Sequence, residues 1–133
     1  IVKDLGLETI PTGYLLLDGG AHSTVEFMSG SKPIPMNRPD ITVAHALAAE
    51  YMGMKFVYLE AGSGAKRSVS EEIIKQCVEN LNINLIVGGG IKSPQEAASK
   101  IEAGASMVVT GSVLETSQNN SLMKEIADAI HKN

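Results

Sequence analysis

The feature that most constrains the fold is a repeated order: a short apolar run, a glycine-rich joint, then a helix start. It occurs four times along the chain. Ile10 to Asp18, Lys55 to Ala61, Asn84 to Val87 and Ser106 to Thr110 read as strands. Helical patterns at Asp40 to Met52, Glu71 to Leu81, Pro94 to Ala103 and Asn120 to His131 alternate with them. Strands that alternate with helices pair in parallel through right-handed crossovers. The segments Phe56–Leu59, Leu85–Val87 and Met107–Val109 are apolar throughout, as strands buried on both faces are.

Local punctuation supports these boundaries. Asp40 is placed to cap the first long helix and Gly53 to end it. Ser70 opens the next, with Glu71 and Glu72 in its first turn. Ser93, Pro94 and Glu96 form a capping-box pattern with proline at the first helical position. Gly53-Met-Lys-Phe-Val and Gly104-Ala-Ser-Met-Val repeat one helix-stop and strand-start device. Gly19 to Pro39 shows no periodicity and reads as a long functional loop or a surface excursion. Residues 1–7 read as the tail of an earlier helix or a loop.

Composition narrows the function classes. A chain of 133 residues is one domain or part of one. With no Trp and 4% aromatics, its core must come from Ile, Leu, Val, Ala and Met. The net charge of −4 and the absence of a basic block argue against nucleic-acid binding. A single cysteine, Cys77, excludes an internal disulfide and reads as a small buried thiol. His22, His45 and His131 lack metal-ligand spacing, and His45 reads as a satisfied interface or core residue. No apolar run reaches the roughly 18 residues of a membrane span, and no signal peptide is visible.

In parallel α/β folds the chemistry lies where strands end. The residues there are Asp18-Gly19-Gly20, Glu60-Ala61-Gly62-Ser63-Gly64, Gly88-Gly89-Gly90 and Gly111-Ser112. Glycines let backbone amides approach a ligand, and successive loops with a helix start make a phosphate site. Tight turns without a ligand are the plainer reading. No Walker A or GxGxxG spacing is present. Tyr58 and Glu60, two apart on a strand, share one face. If Val57 and Leu59 face the helices, Tyr58 and Glu60 face a barrel interior, where a carboxylate needs a polar partner. Glu60 then reads as hydroxyl acceptor or general base, or as half of a structural pair with a lysine. Tyr58 reads as a donor to substrate or a packed rim tyrosine. Lys66, Arg67 and Lys92 read as solvated cations or as attraction for an anion, Asp18 as a cap on its glycine turn or a strand-end catalytic acid, and the methionines as core.

Ile10-Pro-Thr-Gly-Tyr-Leu, Tyr58-Leu-Glu-Ala-Gly-Ser-Gly-Ala65, Val87-Gly-Gly-Gly-Ile91 and Thr110-Gly-Ser112 together resemble geranylgeranylglyceryl phosphate synthases. These are prenyltransferases of archaeal ether-lipid and phospholipid synthesis with bacterial heptaprenylglyceryl relatives. The resemblance implies a (β/α)8 TIM barrel, of which this chain covers about the last four βα units. It implies the joining of sn-glycerol 1-phosphate to a prenyl diphosphate, with release of diphosphate. Tyr58, Leu59, Glu60, Ala61, Gly62, Ser63 and Gly64 would belong to the glycerol phosphate site, with Glu60 as the catalytic base. Gly88, Gly89, Gly90, Gly111 and Ser112 would hold the phosphate. Ser112 stands where many relatives have Asn, and either can donate a hydrogen bond.

Mg²⁺ is implied as cofactor, but the family's metal-binding aspartate lies on its first strand and nothing here aligns with it. A homo-oligomer, a cytoplasmic enzyme and peripheral membrane contact through the lipid product are further expectations. A full barrel needs about 250 residues, and the first residue is Ile1, so the chain reads as a fragment or a half-barrel. Two other readings stand beside the prenyltransferase. One is another phosphate-binding barrel, such as a phosphosugar isomerase or thiamine-phosphate-type synthase. The other is a non-catalytic half-barrel that associates with itself.

Overall fold

A computed structural model describes residues 1–116 and 121–131. Its centre is a four-stranded parallel sheet in the order β1-β2-β3-β4. The strands are β1 (Thr12–Leu16), β2 (Phe56–Glu60), β3 (Asn84–Gly88) and β4 (Met107–Val109). Three lie within the runs expected from sequence, and β3 runs one residue beyond its expected end, to Gly88. In register, Tyr14, Tyr58, Ile86 and Met107 form one rung, and Leu16, Glu60, Gly88 and Val109 the rung two residues on. Side chains alternate across a strand, so Tyr58 and Glu60 share a face with these residues.

The other face carries the core. Val57, Leu59, Leu85, Val87 and Leu17 are buried there beneath the helices. Helix α2 (Pro39–Tyr51) contributes Ala46 and Ala49, and α3 (Glu71–Asn80) contributes Ile73, Ile74 and Cys77. A Cβ on Gly13 would meet that of Ala49 at 2.6 Å, so α2 sits on β1 only because position 13 has no side chain. Helices α4 (Pro94–Glu102) and α6 (Ser121–Ile130) close a second, smaller cluster of Ile91, Ala97 and Ile126. Burial pushes the Cys77 thiol up to about 12, as fits the inert thiol expected.

The opposite face is half open. Tyr14, Met107 and Val109 are 45%, 47% and 43% exposed. The expectation that β4 is buried on both faces is therefore corrected: it is an edge strand, and only Val108 packs against the helices.

Several local expectations also change. The long loop contains a short helix, α1 (Thr24–Ser29), started by Ser23 and stopped by Gly30 in the left-handed region. The loop then returns to β1, where Leu17 bridges Ile34. Asp40 does not cap α2. Pro39 is already the first helical residue, and Asp40 is held by the Arg38 guanidinium at 2.6 and 2.8 Å. That pairing holds the Asp40 carboxyl below its ordinary range. His45 is exposed, its ring nitrogen 2.8 Å from the Ile41 carbonyl. Met28, Met52, Met107 and Met123 are exposed, so only Met36 and Met54 pack against the core. A five-residue helix, α5 (Ser112–Thr116), follows β4 unannounced by the sequence. Residues 1–7 form turns, and Asn120 lies outside the described residues.

Helices α3 and α4 are joined by a polar cluster. Lys100, only 3% exposed, donates to Glu71 Oε1 at 2.7 Å, and the Ser99 hydroxyl donates to the same oxygen at 2.8 Å. The Lys100 hydrogen bond chiefly holds the Glu71 carboxyl at about 2, below its ordinary 4.5. A depressed folded-state pKa adds stability above the unfolded value and loses it as pH falls toward the folded one. Stability is thus expected to fall between about pH 4.5 and pH 2 as the Glu71 carboxylate is protonated. Denaturation curves across that range check it, because Glu71→Gln should flatten this part of the profile. At pH 7 that variant should cost about 1–2 kcal/mol, a modest value because the Glu71 side chain is 45% exposed.

Candidate functional site

The site grows from the last rung of the sheet. Glu60 ends β2 on the open face yet is only 8% exposed. The chain turns back at once, and the Gly62 amide donates to Glu60 Oε1 at 2.7 Å. The carboxylate is thus held by its own loop. Tyr58 stands one rung below, with its ring edge-on to Tyr14 at a centroid distance of 5.2 Å. Burial, then the hydrogen-bonding and charge of the adjacent Glu60 carboxylate, raise the Tyr58 hydroxyl's pKa. Tyr58 is therefore a neutral phenol able to donate. Burial and Glu60 raise Tyr14 as well.

The triglycine at the end of β3 is required by close approach. The Tyr58 hydroxyl occupies the space a side chain on Gly88 would need. Gly89 has φ +81°, and a Cβ there would lie 2.5 Å from Glu60 Oε1 and 2.7 Å from the Gly62 amide nitrogen. A Cβ on Gly90 would lie 2.9 Å from the Ser68 amide nitrogen. The loop after β3 is thus pressed backbone to backbone on the loop after β2.

A cavity of about 350 Å³ opens between these loops and the end of β4. Tyr58, Glu60, Ser63, Gly64, Gly89, Gly90, Gly111 and Ser112 all line it. The structure therefore gathers residues spread over 55 positions of sequence around one space. Leu59 and Ala61 are corrected: their side chains lie in the core on the other side of the sheet, because they alternate with Tyr58 and Glu60. Gly62 and Gly88 stand behind the wall, bonding Glu60 and making room for Tyr58.

Lys92 lines the cavity too; among the described residues it is the one basic group in the lining and Glu60 the one acid. Its place two residues beyond the glycine triplet was the available signal. Lys66 and Arg67 are exposed and donate their amides to the Gly19 carbonyl at 2.9 and 3.2 Å. Asp18 Oδ1 accepts from the Gly20 amide at 2.9 Å, as a turn cap does. Among the described residues no three His, Cys, Asp or Glu side chains are grouped so as to hold a metal ion.

Such an arrangement can hold a small polar ligand. Glycine-rich loops, a buried carboxylate and a neutral phenol share the wall of one cavity. The chain is 46% identical over 131 residues to geranylgeranylglyceryl phosphate synthase of Methanosphaera stadtmanae, covering 98% of this chain and 53% of the relative. It is 44% identical to that of Chitinophaga pinensis, covering 98% and 51%. The chain thus spans about half the length of the curated relatives it matches.

The crystal structure of the Thermoplasma acidophilum (S)-3-O-geranylgeranylglyceryl phosphate synthase, in complex with substrate sn-glycerol-1-phosphate, superposes with a TM-score of 0.91. The two are 37% identical over 97% of this chain and 52% of that one. The Thermoplasma volcanium enzyme gives 0.88 at 42% identity, covering 97% and 51%. Those superpositions identify the four βα units as about half of a TIM barrel of that kind. The PcrB family model matches residues 1–130, and the chain belongs to the PcrB family.

Proposed function

We propose that the protein is a prenyltransferase that joins sn-glycerol 1-phosphate to geranylgeranyl or a similar prenyl diphosphate, and that these residues form its glycerol phosphate site. The observation that carries this reading is the buried Glu60 carboxylate set against the glycine loops in the wall of one cavity. Amides of Gly89, Gly90, Gly111 and Ser112 bind the phosphate, with Lys92 adding charge. Tyr58 donates to a glycerol hydroxyl and Glu60 accepts from the reacting one.

The reaction balances on these residues. The glycerol C3 hydroxyl oxygen attacks C1 of the prenyl chain as the bond from C1 to the diphosphate oxygen breaks. Glu60 takes the hydroxyl proton and diphosphate leaves with the electron pair. The ether product carries the phosphate away. Mg²⁺ would stabilise the departing diphosphate. The described residues offer it no ligand set, so no step here runs through it.

The open face of the sheet supports association with the rest of a barrel or with another copy. No helix among the described residues is long and apolar enough to cross a membrane. A cytoplasmic enzyme that meets the membrane through its lipid product is the location this reading implies.

The test supplies the complete protein with sn-glycerol 1-phosphate, labelled prenyl diphosphate and Mg²⁺. Formation of a labelled glyceryl ether with equimolar diphosphate is expected. Intact prenyl diphosphate alongside turnover of a phosphosugar would transfer the site to another phosphate-binding barrel enzyme.

A further inference from the structure

Glu96 makes contacts that neither its helix nor the cavity wall requires. At the third position of a helix that opens with serine, a glutamate ordinarily reaches back to the N-cap amide. The serine half of that exchange is present, since Ser93 Oγ accepts from the Glu96 amide at 3.2 Å. The carboxylate goes elsewhere. Its Oε2 accepts from the Lys92 amide at 2.9 Å, one residue before the cap. Its Oε1 accepts from the Ser68 hydroxyl at 2.6 Å, 28 positions away in the loop after β2.

These are the two loops that bound the cavity. The loop of Ser68 also carries Ser63 and Gly64, and that of Lys92 carries Gly89 and Gly90. Where they meet, the Gly90 backbone packs on that of Arg67 and Ser68. Glu96 brackets this contact from the helix side. The packing of α3 on α4 does not depend on it, because Glu71, Ser99 and Lys100 join those helices separately. The bracket therefore acts on the loops.

We propose that Glu96 is a positioning residue: by tying Ser68 to Lys92 it sets the spacing of the loops that grip the phosphate end of the ligand. It thereby governs affinity for the phosphorylated substrate without touching it. This rests on reading the cavity as a glycerol phosphate site. Amides that must converge on one anion lose much of their grip when one loop drifts by a fraction of an ångström.

The experiment compares Glu96→Ala, Glu96→Gln and Ser68→Ala in the complete protein. It reads KM for each substrate, kcat, melting temperature, and calorimetric binding of inorganic phosphate. Glu96→Ala is expected to raise the sn-glycerol 1-phosphate KM and the phosphate Kd about tenfold or more. The KM for prenyl diphosphate should stay in place, and the loss should fall on KM rather than kcat. Glu96→Gln, which keeps one acceptor oxygen, should recover part of the affinity. Ser68→Ala should weaken binding alone but add little to Glu96→Ala, because the two share one bond. If Glu96→Ala does not fold, Ser68→Ala alone carries the test through its phosphate Kd. A lower melting temperature with phosphate affinity unchanged would reduce Glu96 to a helix cap and overturn the proposal. A wild-type protein that binds neither phosphate nor sn-glycerol 1-phosphate would instead overturn the reading of the cavity, and this proposal with it.

Discussion

Glu60→Gln is expected to lower prenyl transfer by about 10²–10⁴-fold, the usual worth of a positioned general base. The substitution nearly preserves volume, and its carbonyl can still accept from the Gly62 amide now 2.7 Å from Oε1. Fold and loop should therefore survive, and inorganic phosphate should bind as before. What is lost is the capacity to take a proton from the attacking hydroxyl. Steady-state diphosphate release, measured beside phosphate binding, separates these effects. Turnover within about threefold of wild type would remove Glu60 from the chemistry.

Gly89→Ala should damage both stability and binding. At φ +81° any side chain is strained, by about 1–2 kcal/mol. The added carbon would lie 2.5 Å from Glu60 Oε1, 2.7 Å from the Gly62 nitrogen and 2.9 Å from its carbonyl oxygen. Two of these three neighbours are backbone, so relief means separating the loops, a further cost of about 1–3 kcal/mol. A total near 3 kcal/mol is expected by chemical denaturation, with sn-glycerol 1-phosphate affinity reduced at least about tenfold. Gly111→Ala is the natural contrast, because its Cβ would meet nothing within 4 Å and its φ is not positive. Its stability should change by less than about 0.5 kcal/mol. Equal stability losses in the two variants would contradict the packing described around Gly89.

What could be read from the sequence was what depends on neighbours in sequence. The strands were legible because runs such as Phe56–Leu59 and Leu85–Val87 have no competing helical period. Ser70 and Ser93 were legible as caps because a cap needs only the next three residues. Helix α1 escaped notice although Ser23 and Gly30 bracket it, since six residues are too few to show a period. Asp40 misled because Arg38 and Pro39 compete for the same helix start. Four of the methionines were read as core, and His45 as an interface or core residue, from residue type alone, but exposure is decided by which helix face meets the sheet.

The site divides in the same way. Strand alternation placed Tyr58 and Glu60 correctly on one face. Taking the motif from Tyr58 to Gly64 as one block brought in Leu59 and Ala61, which the same alternation sends into the core. The contacts that join loops, Glu96 to Ser68 and Gly89 to Gly62, span 27 or 28 positions. Such pairings belong to tertiary structure, and no local pattern announces them.

With Glu60 and the glycine loops fixed relative to each other, the site is expected to favour sn-glycerol 1-phosphate over its 3-phosphate enantiomer. The most direct measurement is titration calorimetry of sn-glycerol 1-phosphate and of its 3-phosphate enantiomer into the protein and into Glu60→Gln. The role given to Glu60 predicts tighter binding of the 1-phosphate by wild type, and loss of that preference in Glu60→Gln with inorganic phosphate still bound. Equal affinity for the two enantiomers, or a preference that survives Glu60→Gln, would contradict it.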